Sequence, residues 1–259
     1  MIKKKFDLLT LEIYNDRREA GYAAGMAAAA AIRKVLEEKG AARVIFAAAP
    51  SQNEMLETLT AAPGIDWRNV TAFHMDEYLG LAEDDPRRFS WYLETHVFGK
   101  VPFGEVNRIS CPPRLTKMAV RNACVEYAKK LIEAPVDVVC LGVGENGHLA
   151  FNDPPAEFSP FTRWVKDVTL DEACRRQQVN DGCFPELDAV PRQAITLTIP
   201  ALLAGESLIC TVPGVRKREA VRRMLFGEIS EESPASYLRT HENCVVFVDR
   251  ECWGEDTKK

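Results

Sequence analysis

The sequence of 259 residues lacks the features that mark several special classes of protein. It has no apolar run that approaches membrane-spanning length, and its first residues lack the hydrophobic stretch of a signal peptide. We therefore expect a cytoplasmic protein without membrane contacts. A net charge of -5 gives no general attraction to nucleic acid. The eight cysteines include no Cys-x-x-Cys pair and mostly lie in apolar segments, which favours buried free thiols over disulfides or a zinc site.

What the sequence does contain is the ordinary composition of a globular protein, with 46% hydrophobic and 27% charged residues. This length allows one large domain or two small ones, and we favour one domain over residues 1–259. Apolar runs of strand length alternate with helical patterns, as in the run 44–49 after the helix predicted over 17–39. Such alternation predicts a three-layer α/β fold of modified Rossmann-like type, with a mostly parallel sheet and helices on both faces.

Four polar turns follow predicted strand ends, at residues 50–53, 75–78, 142–155 and 213–217. The carboxyl ends of parallel strands share one edge of a sheet, so these turns can converge on one cleft although they lie far apart in sequence. Together they offer a helix start that can bind an anion, a candidate base, a histidine and a cation. This set fits acid–base chemistry on a small phosphorylated molecule.

The loop over 141–155 has the composition of a site rather than that of a core. It follows an apolar run and contains three glycines, Gly142, Gly144 and Gly147, which let a ligand approach the backbone closely. His148 is the only group in the loop whose charge can change near neutral pH. We therefore expect this loop to be the centre of the functional site.

Asp76 lies just past the end of the strand predicted over 70–74, where a partly desolvated carboxylate can act as a base. The same position suits an acid that caps the next turn, and position alone does not separate the two roles. Glu77 is predicted to form a supporting ion pair. His74 lies within the apolar run and is predicted to be a satisfied core histidine.

Two other turns contain groups suited to an anion. The turn over 50–53 precedes a helix, whose free amides and dipole favour a negative charge, although capping by Ser51 or Asn53 explains the same residues. Lys217 precedes the helix predicted over 218–225 and is placed to bind a phosphate, although a solvent-facing lysine is the commoner case.

The segment 157–189 is the least regular part of the sequence. It is polar, mixed in the sign of its charges and poor in apolar residues, so no core element is predicted there. A segment of this size inside a compact domain is usually a lid or a binding loop. We therefore predict a lid.

Two motifs carry a resemblance to a known family. The stretch 73–81, Phe-His-Met-Asp-Glu-Tyr-Leu-Gly-Leu, and the stretch 142–154, Gly-Val-Gly-Glu-Asn-Gly-His-Leu-Ala-Phe-Asn-Asp-Pro, together resemble glucosamine-6-phosphate deaminases. Val-Pro and Ala-Ile-Thr within 190–196, and Gly-x-x-Lys at 214–217, extend the resemblance over nearly the full chain. The wider superfamily includes 6-phosphogluconolactonase, but Ala-Phe-Asn after His148 resembles the deaminase branch.

The resemblance implies conversion of an amino-sugar 6-phosphate to a ketose 6-phosphate and ammonia, with no metal or organic cofactor. It implies that His148 opens the pyranose ring by moving a proton at the ring oxygen. Asp76 then takes the proton from C2, which gives an enolamine, and returns it at C1. Water adds at C2 and ammonia leaves. Some members of the family assemble as oligomers, so a homo-oligomer is possible.

The same resemblance implies roles for the remaining residues around a small sugar-phosphate ligand. Lys217 and Arg176 would hold the phosphate, assisted by Ser51 and the backbone amides of its turn. The residues predicted to act in catalysis are Asp76, His148, Asn146 and Asp153. The residues predicted to bind substrate or phosphate are Ser51, Gln52, Gly144, Gly147, Arg176 and Lys217.

Four departures separate the sequence from the family pattern, and one of them is an insertion between Arg176 and Pro191. Asn146 replaces the usual aspartate; it can hydrogen-bond an imidazole but cannot stabilise its cation as a carboxylate would. Asp153 replaces a glutamate, and residues 50–53 replace a glycine-rich turn. Three hypotheses follow: a sugar-phosphate deaminase or isomerase with a variant substrate, which we favour, a lactonase-type hydrolase, which has little use for Asp76, and a catalytically weak sugar-phosphate binding protein.

Overall fold

The computed structural model describes residues 1–158 and 163–254. The strands of this part, in chain order, are β1 (Ile2–Phe6), β2 (Leu9–Tyr14), β3 (Ala42–Phe46), β4 (Val70–His74), β5 (Asp76–Tyr78), β6 (Glu105–Asn107), β7 (Val138–Leu141), β8 (Val165–Thr169), β9 (Gln193–Leu197), β10 (Ser207–Thr211) and β11 (Cys244–Asp249).

The α-helices of the same part are α1 (Arg17–Lys39), α2 (Asn53–Ala61), α3 (Phe89–Leu93), α4 (Lys117–Ile132), α5 (Glu172–Asn180), α6 (Ile199–Leu203), α7 (Arg218–Phe226) and α8 (Arg250–Trp253). The bounds of α1 are those that the sequence predicts. Asp16 caps its first turn by accepting a hydrogen bond from the N–H of Glu19, and Gly40 ends it in the left-handed conformation. Both ends of the helix are therefore fixed by local chemistry.

Eight strands form the central sheet in the order β1-β2-β11-β10-β7-β3-β4-β6. Neighbouring strands pair in parallel, except β1 and β2, which form an antiparallel hairpin at one edge. The predicted mostly parallel sheet is confirmed. The strand order changes direction between β3 and β7, and open α/β sheets bind ligands at such a switch point.

Helices and loops cover the central sheet on both faces. Val44 and Phe46 of β3 pack into one hydrophobic core, and Ile45 packs into the other. In β7, Val138 and Cys140 likewise face the first core while the residues between and after them face the second. Burial on both faces explains why these strands read as continuous apolar runs in the sequence.

A second sheet of three strands, in the order β5-β9-β8, is antiparallel. Only Met75 separates β4 of the central sheet from β5 of this small sheet. Asp76, the first residue of β5, pairs with Thr196 of β9. The small sheet therefore fixes the backbone of Asp76 at the carboxyl edge of the central sheet.

The segment 157–189 contains β8 and α5, and residues 159–162 of it lie outside the described part of the chain. The prediction that it lacks core elements is wrong, because Val165 and Cys174 are buried. Its polar composition has a physical reason: α5 buries the polar side chains of Gln177 and Gln178. That the segment acts as a lid stays a prediction.

All eight cysteines are free thiols and six of them are buried, as the sequence predicts. Burial raises the pKa of Cys140 to about 12, so this thiol stays protonated and packs as a small apolar group. Among residues 1–158 and 163–254, no helix is long and apolar enough to cross a membrane.

Glu77 forms the supporting ion pair that the sequence predicts. Its fully buried carboxylate lies 3.4 Å from Nε of Arg88, which is also buried. The carboxylate also accepts hydrogen bonds from the backbone N–H groups of Tyr78, Phe89 and Ser90. These contacts tie β5 to the start of α3.

We expect Glu77→Gln to lower the free energy of unfolding by about 3 kcal/mol, because it leaves the buried guanidinium of Arg88 without its counter-ion. Urea unfolding at pH 7 measures the difference. Glu94→Gln is the matched control, since its partner Arg108 is half-exposed and a surface pair contributes at most about 1 kcal/mol. Equal losses in the two variants would contradict the structural role of Glu77.

Candidate active site

A cleft opens at the carboxyl edge of the central sheet, beside the switch point between β3 and β7. Its walls come from the turns after β3, β7 and β10, from the start of β5 and from α5. It encloses about 470 Å³ when the solvent at its open mouth is counted. Of the residues predicted for the site, the cleft wall contains Ser51, Gln52, Asp76, Gly144, His148 and Lys217.

His148 has a defined tautomer because Asn146 has a defined orientation. The amide N–H of Asn146 donates to Oδ1 of Asp153 at 3.0 Å. The amide oxygen therefore faces His148, where it lies 3.0 Å from the backbone nitrogen and 2.7 Å from ring Nδ1. An amide oxygen can only accept, so the ring proton sits on Nδ1. Nε2 keeps its lone pair and has no hydrogen-bond partner among the described residues, which makes it the basic atom of the ring.

Asp153 lies behind this pair and supplies a negative charge. Its Oδ1 is 3.3 Å from Nδ1 of His148, and its Oδ2 accepts a hydrogen bond from the N–H of Asp171, the N-cap of α5. Burial opposes ionisation of the carboxyl, but His148, Asn146 and Asp171 outweigh burial and hold the pKa of Asp153 below its usual value. Asp153 is therefore ionised at neutral pH and can stabilise a protonated His148.

Gly144 lies directly against the ring of His148. A Cβ atom on Gly144 would be 2.2 to 2.3 Å from three ring atoms, Cε1, Nδ1 and Nε2. The loop is closed by hydrogen bonds from the N–H of Gly144 to the carbonyl of His148 and from the N–H of Gly147 to the carbonyl of Gly144. Gly147 turns the chain with φ of 93° and is not part of the cleft wall. These glycines act by making room for His148 and by turning the loop.

Asp76 is buried, with 6% of its surface exposed, and lines the same cleft as His148. Its carboxylate accepts no hydrogen bond from residues 1–158 or 163–254, so it caps no turn in that part. Burial, together with the neighbouring charge of Glu77, raises the pKa of Asp76 well above its usual value. Both carboxylate oxygens are free to take a proton from a ligand, as a general base requires.

His74 is the satisfied core histidine that the sequence predicts. Its Nδ1 lies 2.9 Å from the carbonyl oxygen of Asp76, and its Nε2 accepts a hydrogen bond from the N–H of Ile109 at 2.8 Å. Burial lowers the pKa of His74 to about 4, so the ring is neutral at pH 7. His74 therefore positions the backbone of Asp76 and takes no part in the cleft.

Lys217 is the only cation among the described residues that line the cleft. Its side chain is buried, and its ammonium makes no hydrogen bond or ion pair within the described part of the chain. Burial lowers the pKa of Lys217, while the charges of Asp181 and Glu145 act in the opposite sense. A desolvated ammonium without a partner is a strong ligand for an anion.

A family model described as glucosamine-6-phosphate isomerases/6-phosphogluconolactonase matches residues 15–247 of the chain. The chain belongs to this family. The glucosamine-6-phosphate deaminase of Lactobacillus delbrueckii subsp. bulgaricus is 31% identical over 213 residues, which cover 82% of this chain and 87% of the relative. Glucosamine-6-phosphate deaminase 1 of Bacillus subtilis is 34% identical over 189 residues, 72% of this chain and 75% of the relative.

Solved structures of the glucosamine-6-phosphate isomerase/6-phosphogluconolactonase family have the same fold. A monomeric glucosamine-6-phosphate deaminase superposes with a TM-score of 0.83 at 28% identity, over 95% of this chain and 99% of that one. The 6-phosphogluconolactonase of Trypanosoma brucei superposes with a TM-score of 0.76 at 16% identity, over 97% and 98% of the two chains. The second likeness shows the fold alone.

Arg176 and Arg216 are two cations near the cleft whose side chains pair with acidic residues outside it. The side chain of Arg176 is 60% exposed and pairs with Glu172 on α5, so the structure does not bring it to the cleft. Glu145 lies 3.3 Å from Nε of Arg216, whose NH2 group lies 2.8 Å from Asp181. Arg216 thereby links the loop after β7 to the end of α5.

Gln177 and Gln178 are cleft residues that the sequence analysis missed. Both are buried and line the cleft, one and two positions after Arg176. Gln177 accepts a hydrogen bond from the N–H of Glu145 at 2.7 Å, which supports the loop beside His148. Neighbouring residues of a helix point in different directions, so an error of one position exchanges a cleft residue for an exposed one.

Cys174 in the first turn of α5 forms a cluster with His148 and Asp153, and their donor atoms lie within 4.8 Å of one another. Nitrogen, carboxylate and thiolate are ligands that zinc accepts. In this cluster Oδ1 of Asp153 already contacts Asn146 and Nδ1 of His148, and Oδ2 accepts a hydrogen bond from a backbone N–H. Nδ1 of His148 also contacts the amide oxygen of Asn146. Burial raises the pKa of Cys174 well above its usual value. The cluster suits proton transfer better than a metal ion.

Proposed function

We propose that the protein deaminates an amino-sugar 6-phosphate, glucosamine-6-phosphate or a close variant, to a ketose 6-phosphate and ammonia. The observation that carries this proposal is a pair of separate bases in one cleft. Asp76 is a buried carboxylate without a hydrogen bond from the described residues, and His148 has a free Nε2. Such a pair suits a reaction that moves two protons at different atoms of one substrate. The relatives named as glucosamine-6-phosphate deaminases support the same substrate class.

His148 acts first in the proposed reaction, at the pyranose ring. Its Nε2 takes the proton of the C1 hydroxyl and delivers it to the ring oxygen, which breaks the bond between C1 and that oxygen and leaves an aldehyde at C1. While the imidazole holds the proton, Asp153 balances its charge from 3.3 Å. Asn146 fixes the ring orientation through its hydrogen bond to Nδ1.

Asp76 acts second, because the C2 proton becomes acidic only beside the new carbonyl. The carboxylate takes this proton while the C1 oxygen takes one from the ammonium group on C2, which gives an enolamine. Return of the first proton to C1 leaves an iminium group at C2. Water adds to C2, the C–N bond breaks and ammonia leaves, so the product is a ketose 6-phosphate. One water is consumed, and the reaction is therefore hydrolytic as well as an aldose–ketose isomerisation.

We further propose that the chain is a single catalytic domain over 1–259 that acts on this small molecule in the cytoplasm. The segment 157–189 is proposed as the lid, which is supported by Gln177 and Gln178 on the cleft wall and by the contact of Asp181 with Arg216. Assembly as a homo-oligomer stays a prediction.

Ammonia release from the purified protein tests the proposed function, with glucosamine-6-phosphate, galactosamine-6-phosphate and 6-phosphogluconolactone as parallel substrates. We expect ammonia and fructose-6-phosphate in equal amounts from glucosamine-6-phosphate. Hydrolysis of the lactone without ammonia release would replace the proposal with a lactonase-type hydrolase. Binding of these compounds without turnover would replace it with a sugar-phosphate binding protein.

We expect Lys217→Met to raise KM for the sugar phosphate at least about 10-fold with a smaller change in kcat, because the phosphate loses its charged partner in the cleft. Arg176→Met is the matched control. Arg176 is exposed and paired with Glu172, so its KM should stay within about 2-fold of wild type. Steady-state kinetics measure both variants. An equal rise of KM in Arg176→Met would show that Arg176 is a phosphate ligand after all.

A further inference from the structure

Gln52 spans the carboxyl ends of three neighbouring strands. It lies in the turn after β3, and its Nε2 donates a hydrogen bond to the carbonyl oxygen of Thr211, the last residue of β10, at 3.1 Å. Since β7 lies between β3 and β10, the side chain crosses the end of β7. Nε2 also donates to Oγ of Ser51 at 3.2 Å, so both of its hydrogens have acceptors.

Gly142, the first residue after β7, leaves the space for this crossing. A Cβ atom on Gly142 would lie 2.8 Å from Nε2 of Gln52 and 3.3 Å from the carbonyl oxygen of Thr211. The side chain of Gln52 is also completely buried. Packing and hydrogen bonds therefore hold the amide of Gln52 in one place in the floor of the cleft.

The other polar atom of this amide, Oε1, is buried and has no hydrogen-bond partner among the described residues. The two ends of the amide cannot be exchanged, because the backbone carbonyl of Thr211 can only accept a hydrogen bond. Buried acceptors in folded proteins almost always have a donor. Gln52 is one of the residues that line the cleft.

We propose that Gln52 is a specificity-determining residue that accepts a hydrogen bond from a hydroxyl group of the substrate. This inference rests on the function proposed above. A phosphate dianion offers only acceptors and would be repelled by Oε1, so Gln52, which the sequence predicts to bind substrate or phosphate, contacts the sugar part of the substrate. The phosphate is instead held by Lys217.

The chemistry of the proposed substrate limits which hydroxyl this is. In an amino-sugar 6-phosphate, C1 and C2 react, the oxygen on C5 takes part in ring opening and C6 carries the phosphate. The hydroxyls on C3 and C4 remain, and one of them is the donor to Oε1 of Gln52. Oε1 of Gln52 therefore recognises a hydroxyl group of the sugar on a carbon that takes no part in the reaction.

Analogues of glucosamine-6-phosphate with fluorine in place of the C3 or the C4 hydroxyl test this inference, because a C–F group cannot donate a hydrogen bond. With wild-type protein we expect one analogue to lose about 10-fold in kcat/KM and the other to stay near the parent compound. Gln52→Met keeps the length of the side chain without the acceptor. The kcat/KM of this variant for the parent compound should be lower than that of wild type by a similar factor. Its kcat/KM values for the parent and for that analogue should agree within about 2-fold.

Gln193→Met, at an exposed position of β9, is the matched control and should keep the full preference for the parent compound. Thermal unfolding checks that Gln52→Met folds, and Gln52→Asn, which withdraws the acceptor by one methylene, provides a second variant. The proposal is overturned if discrimination survives unchanged in both Gln52 variants, or if wild-type protein discriminates against neither analogue.

Failure of the proposed function gives a different result. Absence of ammonia from glucosamine-6-phosphate with wild-type protein counts against deamination, whatever the analogues do. Calorimetric binding of the parent and the two fluorinated analogues to wild type and to Gln52→Met then decides the role of Gln52. Equal affinities of wild type for all three compounds would overturn it.

Discussion

Asp76→Asn is expected to lose about 1,000-fold in kcat and, at the same time, to be more stable than wild type at neutral pH. Activity falls because asparagine keeps the shape of the side chain but cannot take the proton from C2. Stability rises because the ionised carboxylate is buried without a hydrogen bond from the described residues, and an unpaired buried charge is destabilising. One residue thus changes catalysis and stability in opposite directions.

The raised pKa of Asp76 sets the sign of both pH dependences. Folding favours the protonated form, so the stability that this residue contributes is fully present below its unfolded pKa of about 3.9 and is lost as the pH rises through the folded pKa. In urea unfolding between pH 4 and 8, the free energy of unfolding of Asp76→Asn should increase relative to that of wild type as the pH rises. Wild-type kcat/KM should fall on the acid side at a pH above the usual carboxyl range, because the base must be ionised.

The neighbouring Glu77→Gln variant provides a comparison of opposite sign. Glu77 has an ion pair and three backbone hydrogen bonds, so removing its charge destabilises the fold, whereas Asp76 has none of these contacts in the described structure. A variant Asp76→Asn that is less stable than wild type at pH 8, or that keeps most of its activity, would contradict the assignment of Asp76 as a buried base.

The second large effect is expected from Gly144→Ala, which adds a single methyl group. That methyl would lie 2.2 to 2.3 Å from ring atoms of His148, so the ring must move away from Asn146 and from its place in the cleft. Misplacing a catalytic group by 1 Å can reduce the rate about 100-fold, and we expect kcat to fall by about that factor.

Steady-state kinetics combined with urea unfolding separate this effect from a general loss of stability. Gly40→Ala is the matched control, because Gly40 ends α1 with φ of 76° and an added Cβ would meet nothing within 4 Å. It should cost about 1 kcal/mol of unfolding free energy through backbone strain and leave kcat unchanged. An unchanged kcat in Gly144→Ala would mean that the loop can yield without displacing His148.

Much of the site could be predicted because parallel strands end at one edge of a sheet. Asp76, His148 and Lys217 lie in three segments far apart in sequence, and each segment follows an apolar run that is buried on both faces. Such runs are visible in the sequence, and their carboxyl ends mark the cleft without any knowledge of the strand order.

The remaining details depend on contacts that no local pattern encodes. α5 has no apolar stripe to set its orientation, so the sequence could not show that Gln177 rather than Arg176 lines the cleft. The sequence shows that Asn146 replaces a carboxylate, but only the fold shows that its amide bridges His148 and Asp153. Strand β5 has three residues, too few for a periodicity, and the sequence did not predict it for that reason.

Asp76 stands where the chain crosses from one sheet to the other, and its backbone is held on both sides. Its carbonyl oxygen contacts Nδ1 of His74, and the carbonyl of Met75 accepts a hydrogen bond from the N–H of Leu197. A base mounted this rigidly reaches its substrate from one side only. In the proposed reaction the proton leaves C2 and arrives at C1 on the same face of the enolamine. A deuterium placed at C2 should therefore appear at C1 in a single stereochemical configuration, diluted only by exchange with water.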